Sequence, residues 1–384
     1  MEPVLPRYGT ATLANVVPSV LAGLDVPGMA ATLALPPARR VCLLLVDGLG
    51  WELLRGHEAH APFLTSLTAG STAITAGFPA TTATSIAALG TGLPPGEHGI
   101  VGYSFAADND LLLNALGWSR HTQGNPTDLR SRIVPEQLQP HPTAFQRAAD
   151  AGVAVSRVAP RDQDGSGLTR AVLRGGEFVG VHALGDLTSQ TLAALRGHDR
   201  VFCYAYHADL DLLGHVYGPG SAPWCEQLAF VDRLAATIAQ GLPEEGMLVV
   251  TADHGMVPIA PEDRVDVDED AQLREGVRLF GGEARVRHVY TEPGATEAVL
   301  ATWQERLGNS AWILRREEAI AAGWFGLRVL DAVRPRIGDL VVAAHGGLAI
   351  TRGQAEPLLS RLLGHHGSLT KQEQLVPLLV AQHS

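Results

Sequence analysis

Short runs of apolar residues recur along the chain, each followed by a polar turn and then by a stretch with helical character. This alternation is typical of a mostly parallel sheet covered by helices, because strands buried on both faces are apolar throughout. The clearest predicted strands are residues 41–46, 153–158, 201–206 and 247–252. Helices are predicted at residues 142–151 and 223–240, and apolar side chains recur every three or four positions in the second.

The pattern changes after residue 256. Residues 284–291 alternate between apolar and polar side chains like a strand, and residues 295–307 have the spacing of an amphipathic helix. Residues 338–344 predict a further strand. Together these elements predict a small inserted α+β cap subdomain at residues 257–353.

The rest of the chain forms the predicted core, which comprises residues 1–256 and 354–384. Within this core, residues 104–135 are polar and irregular, which predicts a long surface loop. Residues 375–380 predict one more strand near the end of the chain.

The composition is that of a folded protein that avoids nucleic-acid polymers. Apolar residues make up 46% of the 384 positions, which excludes a disordered chain. The net charge is −11 and no run is rich in lysine or arginine, so we expect no nucleic-acid polymer as a partner. A small anionic ligand would need metal ions or helix N-termini for its binding.

The sequence also predicts a cytoplasmic protein without a membrane partner. The first thirty residues lack a secretory signal, and no window of 18 residues is apolar enough to span a bilayer. Cys42 and Cys203 stand in apolar runs, as buried thiols do. With Cys225 the chain has three cysteines, an odd number that leaves one without a disulfide partner. A reducing compartment is the simplest interpretation.

Acidic and imidazole side chains follow three of the predicted strands. Asp47 follows the first strand, Asp253 and His254 follow the fourth, and Asp211 and His215 lie beyond the third. Ligands of parallel sheets bind beyond the carboxyl ends of the strands, so these residues are the ones to consider. Carboxylates and neutral imidazoles suit zinc and manganese, and the four-residue step from Asp211 to His215 lets both reach one ion from a helix.

Two further segments contain candidate functional residues. His365 and His366 stand between two glycines, which allow the backbone to turn sharply towards a site. Thr82 lies at the predicted start of a short helix that ends near residues 90–92. Free N–H groups at such a helix start favour a phosphate or a deprotonated oxygen, although a threonine there is also typical of an ordinary cap.

These motifs, in this order and spacing, resemble the nucleotide pyrophosphatase/phosphodiesterase (type I phosphodiesterase) family of the alkaline phosphatase superfamily. The motifs that carry the resemblance are Asp47-Gly48, the block from Phe78-Pro79 through Thr82 to His98-Gly99, Asp211 with His215, Asp253-His254-Gly255 and His366-Gly367. The resemblance implies an alkaline phosphatase-like α/β/α sandwich with a mostly parallel central sheet and a small inserted α+β subdomain.

The resemblance also implies a site with two divalent metal ions, Mn or Zn. One ion would be held by Asp211, His215 and His366, and the other by the set Asp47, Thr82, Asp253 and His254. Thr82, rather than Thr81 or Thr84, stands at the family's interval before Thr91-Gly92 and would form a covalent intermediate. Asp209 remains an alternative to Asp211, and His365 or His345 remains an alternative to His366.

The expected activity is that of a metal-dependent phosphodiesterase acting on a small nucleotide phosphodiester. Residues 6–10 and 367–377 resemble actinobacterial members that hydrolyse cyclic di-AMP to linear di-adenylate and AMP. A general nucleotide pyrophosphatase, a phosphomonoester or phosphonate hydrolase on the same scaffold, and a non-enzymatic metal-binding module are the alternatives.

One position departs from the family pattern. Other members carry an asparagine that helps to bind the phosphoryl oxygens, and Tyr103 stands in its place. Tyr103, Trp324 and Phe325 are candidate surfaces for stacking on a base, with ordinary packing as the alternative. The residues that bind the base are expected in the cap or in residues 104–135.

Overall fold

The computed structural model describes residues 2–108, 111–121 and 126–382. Its strands are β1 (Arg40–Val46), β2 (Ile74–Thr75), β3 (Ser104–Asp108), β4 (Leu111–Asn114), β5 (Ser119–Arg120), β6 (Ala154–Pro160), β7 (Glu177–Val181), β8 (Val201–His207), β9 (Gly246–Thr251), β10 (Val257–Pro258), β11 (Arg264–Asp266), β12 (Val277–Glu283), β13 (Val286–Thr291), β14 (Ala311–Arg315), β15 (Leu340–Ala344), β16 (Ala349–Thr351), β17 (Gly364–His365), β18 (Leu375–Val376) and β19 (Leu378–Gln382). Its α-helices are α1 (Leu13–Gly23), α2 (Trp51–Gly56), α3 (Pro62–Leu67), α4 (Thr82–Thr91), α5 (Pro95–His98), α6 (Pro135–Leu138), α7 (Ala144–Asp150), α8 (Gly167–Val172), α9 (Leu184–Arg196), α10 (Asp209–Tyr217), α11 (Ala222–Gln240), α12 (Ala271–Arg274), α13 (Thr296–Leu307), α14 (Arg316–Ala321) and α15 (Lys371–Gln374).

A six-stranded sheet with the order β19, β9, β1, β8, β6, β7 lies at the centre. The pairs from β9 to β7 are all parallel, and β19 runs antiparallel to β9. All residues of β8 and β9 are buried, as are those of β1 after Arg40, which explains why these strands are almost continuously apolar. The predicted mostly parallel sheet is confirmed, and the four predicted strands correspond to β1, β6, β8 and β9.

Two groups of helices pack around this sheet. Helices α9 and α11 contact each other and pack on β8 and β9, whereas α1, α7 and α8 surround α4. The buried side chains of α11 include Leu228, Val231, Leu234 and Ile238, whose spacing of three or four residues gives the helix one apolar face. The helices predicted at residues 142–151 and 223–240 are confirmed as α7 and α11.

A second sheet has the order β12, β13, β15, β14 and is antiparallel throughout. Alternate residues of β15 face opposite sides, so Val341 joins the main core while Leu340 and Val342 join a separate apolar cluster with Trp303 of α13. The strands and the helix predicted for residues 284–344 correspond to β13, α13 and β15.

Two buried arginines connect the second sheet to other parts of the chain. Arg285, which precedes β13, makes a bidentate ion pair with Glu373 of α15, at 3.0 and 2.9 Å. Arg287 of β13 makes another with Glu356, at 3.0 and 2.8 Å. Glu373 also accepts the backbone N–H of Ser368 at 3.0 Å, so this carboxylate joins the second sheet to the segment after His366.

The prediction of an irregular loop at residues 104–135 is wrong over much of its length. Strands β3, β4 and β5 form a three-stranded antiparallel sheet, and β3 packs against β12. The Ser104 hydroxyl donates to the Gly282 carbonyl at 2.9 Å. These strands are too short for a clear sequence period, and they depend on the second sheet as a neighbour. Residues 109–110 and 122–125 lie outside the described residues.

The remaining sequence expectations concern cysteines and membranes. Cys42 and Cys203 lie opposite each other on β1 and β8, and both are buried free thiols, as is Cys225. Among the described residues, no helix combines the length and apolarity that crossing a bilayer requires.

Replacing Trp303 tests whether the second apolar cluster contributes to global stability. Trp303 is fully buried and its indole N–H donates to the Leu273 carbonyl at 3.1 Å. We expect Trp303→Ala to lower the free energy of unfolding by about 3–5 kcal/mol, measured by circular dichroism in denaturant. Phe230→Ala on α11, where the side chain is 54% exposed, is the control and should change it by less than about 0.5 kcal/mol. Equal, small losses in both variants would contradict the role given to Trp303.

Candidate active site

Two carboxylates lie at the carboxyl ends of the neighbouring strands β1 and β9. Oδ1 of Asp253 accepts the backbone N–H groups of Gly48 and His254, each at 3.0 Å. Oδ2 of Asp47 accepts the hydroxyl of Tyr206. The other oxygen of each, Asp47 Oδ1 and Asp253 Oδ2, is buried and has no hydrogen-bond partner among the described residues. Each carboxylate is therefore held by one oxygen and keeps the other free.

Gly48 allows helix α10 to approach the end of β1. Its φ is +74°, and a Cβ built there would lie 3.0 Å from the Cα and the Cβ of Asp211. A larger residue would strain the backbone and push Asp211 away from Asp47. The Asp-Gly dipeptide is therefore required by the geometry of the site as well as by the turn.

Asp211 and His215 lie one turn apart on α10, with Asp211 Oδ2 3.2 Å from His215 Nε2. His366 Nε2 lies 3.3 Å from His215 Nε2 and 3.9 Å from Asp211 Oδ1. The Nδ1 atoms of these two histidines donate to the carbonyls of Gly364 and Ala80, at 2.8 and 3.0 Å. Both Nε2 atoms therefore face the same space.

His254 stands between these two groups of residues. Its ring stacks on that of His366 with a centroid distance of 3.5 Å. Its Nδ1 donates to the Gly255 carbonyl at 3.0 Å, which leaves Nε2 as the acceptor, 3.2 Å from Thr82 Oγ1. Nε2 is also 3.5 Å from Asp47 Oδ1 and 3.4 Å from Asp253 Oδ2.

Thr82 is the first residue of α4, and Thr81 holds the capping position before it. The Thr81 hydroxyl donates to Glu283 Oε2 at 3.3 Å and does not cap the helix. Every residue of α4 is buried, and the helix ends at Gly92 with φ +72°. The unpaired N–H groups of its first turn thus lie beside the Thr82 hydroxyl. The alternative of Thr82 as an ordinary cap does not agree with this placement.

Burial and mutual repulsion govern the protonation of the cluster. Burial, reinforced by the charges of Asp253 and Asp211, raises the pKa of Asp47 well above its usual value. Burial disfavours the charged forms of Asp211 and His215. Their mutual attraction outweighs this effect, because it lowers the pKa of Asp211 and raises the pKa of His215 to about 9. Burial lowers the pKa of His366.

The residues present fit divalent cations. Two groups, Asp47 with Asp253 and His254, and Asp211 with His254 and His366, each bring three ligand atoms within 4.8 Å of one another. Asp211 Oδ1, like the free oxygens of Asp47 and Asp253, is buried and lacks a hydrogen-bond partner among the described residues. Such buried oxygens are costly unless a positive charge compensates them.

Two of the alternative residues lie apart from the cluster. Asp209 is exposed at the start of α10, whereas Asp211 is turned towards His366. The Thr84 hydroxyl donates to the Ile100 carbonyl at 3.1 Å, inside the core. The structure thus brings together all seven candidate ligands, and leaves these two out.

The other histidines differ in their position. His345 packs against the ring of Trp312 at 4.6 Å, and it does not line the site. His365 does line it, but its Nε2 is engaged with the Leu362 carbonyl at 3.1 Å.

A cavity of about 370 Å³ opens beside the cluster. Thr82, Asp211, His215 and His366 lie in its wall, and the other lining side chains are Thr81, Tyr103, Leu116, Leu212, Val216, Glu283, Ala284, Glu356, Leu359, Leu362 and His365. Its volume lies at the lower end of the range of about 300–1,000 Å³ typical of small-molecule sites.

The three candidate stacking residues differ in their surroundings. Trp324 and Phe325 are buried and pack edge-on against Phe78, with centroid distances of 4.8 and 5.4 Å. They are packing residues. Tyr103 lines the cavity, and its hydroxyl accepts from Asn114 Nδ2 at 2.8 Å.

Sequence reasoning missed Tyr206, Glu283 and Glu356. Tyr206 lies inside an apolar run, where an aromatic residue is ordinary core. Glu283 and Glu356 belong to no recognisable motif, and only the pairing of β12 with β13 and the pair with Arg287 bring them to the cavity.

The fold is similar to that of a nucleotide pyrophosphatase/phosphodiesterase and to that of a phosphonoacetate hydrolase. Murine ectonucleotide pyrophosphatase/phosphodiesterase 5, in an inactive form in complex with AMP, superposes with a TM-score of 0.67 over 89% of this chain and 88% of that chain, at 17% identity. Phosphonoacetate hydrolase from Sinorhizobium meliloti 1021, in complex with phosphonoacetate, gives 0.65 over 90% of each chain, at 20% identity. At these identities the likeness concerns the fold.

Sequence comparisons add a partial and an extensive match. A phosphopentomutase from Anaeromyxobacter dehalogenans is 28% identical over 174 residues, so this chain spans only 42% of the length of that relative. The family model of type I phosphodiesterase/nucleotide pyrophosphatase matches residues 41–369, which include all seven candidate ligands. The chain therefore belongs to the type I phosphodiesterase/nucleotide pyrophosphatase family of the alkaline phosphatase superfamily.

Proposed function

We propose that this chain is a metal-dependent phosphodiesterase that cleaves a nucleotide phosphodiester bond through a covalent Thr82 intermediate. Cyclic di-AMP is the proposed substrate, with linear di-adenylate and AMP as products. The single observation that carries the proposal is the position of Thr82 Oγ1, 3.2 Å from His254 Nε2 beside buried carboxylate oxygens that lack a partner among the described residues.

Two divalent cations, manganese or zinc, are proposed for the cluster. One would be held by Asp211, His215 and His366, and the other by the set Asp47, Thr82, Asp253 and His254. When bound, such ions supply positive charge that lowers the pKa of a hydroxyl and neutralises the phosphate and the leaving group. His254 lies close enough to both groups to take part in either.

The residues of the chain would then act in a fixed order. Thr82 Oγ1 attacks phosphorus, the bond to the leaving oxygen breaks, and a nucleotidyl-threonine forms. Backbone N–H groups in the first turn of α4 face the negative charge that develops on the phosphoryl oxygens. Water hydrolyses the threonine ester and restores the hydroxyl.

The cavity suits a substrate with an aromatic group. Tyr103 offers a ring, and Leu116, Leu212 and Val216 are between 40 and 54% exposed around it. Nucleobases bind well to such a combination of ring and apolar surface. We propose that Tyr103 contacts a base of the substrate.

Residues 257–353 are proposed as the cap of this site, on a core of residues 1–256 and 354–384. Glu283 and Ala284 support this assignment, because they bring the end of β12 to the cavity wall.

Residues 6–10 and 367–377, which resemble the cyclic di-AMP hydrolases, stabilise the backbone before Thr82 and after His366. The Tyr8 hydroxyl accepts the N–H of Phe78 at 3.0 Å and donates to the Trp324 carbonyl at 2.9 Å, which braces the segment before Thr82. Glu373 holds Arg285 and the N–H of Ser368. These contacts stabilise the shape of the site.

The substrate is tested by incubating the purified protein with cyclic di-AMP and Mn²⁺, beside a chelator control. We expect linear di-adenylate and then AMP to appear by chromatography only when the metal is present. Cleavage of bis-p-nitrophenyl phosphate with survival of cyclic di-AMP would retain the chemistry and overturn the substrate.

Replacing Thr82 tests the nucleophile. We expect Thr82→Ala to lose at least about 10³-fold in kcat while it retains Mn²⁺, because six of the proposed ligands remain. Thr84→Ala removes a hydroxyl two residues further along the same helix and is the control, with turnover close to that of the wild type. Equal turnover in Thr82→Ala and the wild type would contradict the assignment.

A pair of aspartates on α10 tests the metal ligands. We expect Asp211→Asn to bind Mn²⁺ more weakly, by roughly tenfold or more in a calorimetric titration, because a neutral amide is a poorer ligand than a carboxylate. Asp209→Asn, an exposed neighbour with the same change of charge, should bind Mn²⁺ as the wild type does. The reverse result would make Asp209 the ligand.

A further inference from the structure

A second cavity, of about 460 Å³, is lined by basic side chains. We call it the arginine cavity after the basic residues in its wall, which are Arg120, His121, Arg274, Arg278 and Arg352. Among the described residues that line it, none is acidic, although the chain as a whole has a net charge of −11. The local positive charge is therefore opposite to the charge of the molecule, and the volume lies within the range of about 300–1,000 Å³ typical of small-molecule sites.

The fold assembles this cavity from residues that are far apart in the sequence. Arg120 ends β5, Arg274 ends α12, Arg278 lies on β12 and Arg352 follows β16. The sequence has no run rich in lysine or arginine, so the cationic surface arises only when the three-stranded sheet packs beside β12. Like charges that are brought together repel one another unless an anion lies between them.

The arginines of this cavity differ in their compensation. Arg352 Nε lies 3.4 Å from Asp268 Oδ1, and its guanidinium lies 5.2 Å from the centroid of the Phe280 ring. Arg120 and Arg274 are exposed and form no ion pair with another described residue. Two positive charges at this cavity therefore lack an anionic partner within the described part of the chain.

The arginine cavity is a neighbour of the candidate active site and is separate from it. His121 Nε2 lies 2.9 Å from Glu356 Oε1, and the rings of His121 and Tyr103 meet edge-on with a centroid distance of 5.6 Å. Glu356 and Tyr103 line the cavity that contains Thr82, whereas no described residue lines both cavities. A ligand in the arginine cavity would therefore bind apart from Thr82 and the candidate metal ligands, behind this shared wall.

We propose that the arginine cavity is a second anion site, which binds the phosphate group of a small ligand. The planar guanidinium of arginine donates two parallel N–H groups, which match two oxygens of one phosphate. A phosphomonoester or inorganic phosphate brings about 1.5 to 2 negative charges at neutral pH, which matches the two arginines that form no ion pair. The ligand is therefore inorganic phosphate or a small phosphomonoester such as a nucleotide, and the site does not depend on the proposed function.

Calorimetric titration of the Mn²⁺-loaded protein with inorganic phosphate tests this site. We expect two classes of binding site, one at the proposed metal ions and one in the arginine cavity. The double variant Arg120→Gln/Arg274→Gln should weaken the second class by about tenfold or more, because it removes two unit charges at close range, and should keep its manganese. The matched control Arg39→Gln/Arg233→Gln removes two exposed arginines outside the cavity and should keep both affinities.

A variant that keeps the charge separates geometry from charge. Arg120→Lys/Arg274→Lys should lose less affinity than the glutamine variant, because lysine retains the charge without the paired donors. AMP and adenosine then identify the occupant. Tighter binding of AMP than of inorganic phosphate at this class of site would support a nucleotide, and equal binding would support the free anion. Adenosine that binds as tightly as AMP would contradict recognition of a phosphate group.

Two further results would overturn the site. One is phosphate binding that Asp211→Asn weakens and that the arginine double variant leaves unchanged, because the phosphate would then bind only at the metal ligands. The other is an equal loss of affinity in both glutamine double variants, because binding would then follow net charge. A protein that binds no manganese would contradict the proposed function alone, because the arginine cavity contains none of the candidate metal ligands.

Discussion

The crowding of buried carboxylates at one edge of the central sheet is the constraint on which the site depends. Strands β9, β1 and β8 are parallel neighbours, so the residues that follow them emerge side by side. Asp47, Asp253 and Asp211 therefore meet at one place, and each keeps one buried oxygen without a partner among the described residues. Hydrogen bonds from Tyr206 and from two backbone N–H groups fix the direction of Asp47 and Asp253, and Asp211 is paired with His215 at 3.2 Å. A folded chain of this shape has a strong electrostatic reason to bind cations.

The second sheet contributes two buried ion pairs and part of the cavity wall. Arg285 and Arg287 are fully buried, and each is matched by a bidentate glutamate, which is the geometry in which a buried ion pair keeps its hydrogen bonds satisfied. Glu283, at the end of β12, enters the cavity from the same sheet without an arginine of its own. The ends of the central strands thus carry the candidate carboxylate ligands, and the second sheet contributes Glu283 to the wall of the cavity beside them.

The parts of this molecule that could be predicted from sequence are those whose neighbours are local or dictated by strand order. The four apolar strands, helices α7 and α11, and the polar residues after β1 and β9 follow from period and position, and Thr82 at the start of α4 follows from a short motif. The three-stranded sheet β3–β5 could not be predicted, because its strands are short and β3 packs against β12, which is distant in the sequence. The cavity carboxylates Glu283 and Glu356 could not be predicted either, because their proximity to His366 and Arg287 arises from long-range pairing.

The ion pair between Arg285 and Glu373 couples two parts of the chain that are far apart in the sequence. Glu373 also accepts the backbone N–H of Ser368, two residues after His366. One buried ion pair therefore connects the second sheet to the segment that carries His366. Without the arginine, that carboxylate would be buried and unpaired close to the candidate active site. The second sheet and residues 364–374 therefore form one structural unit that is discontinuous in sequence, so a change at Arg285 would reach the backbone that carries His366.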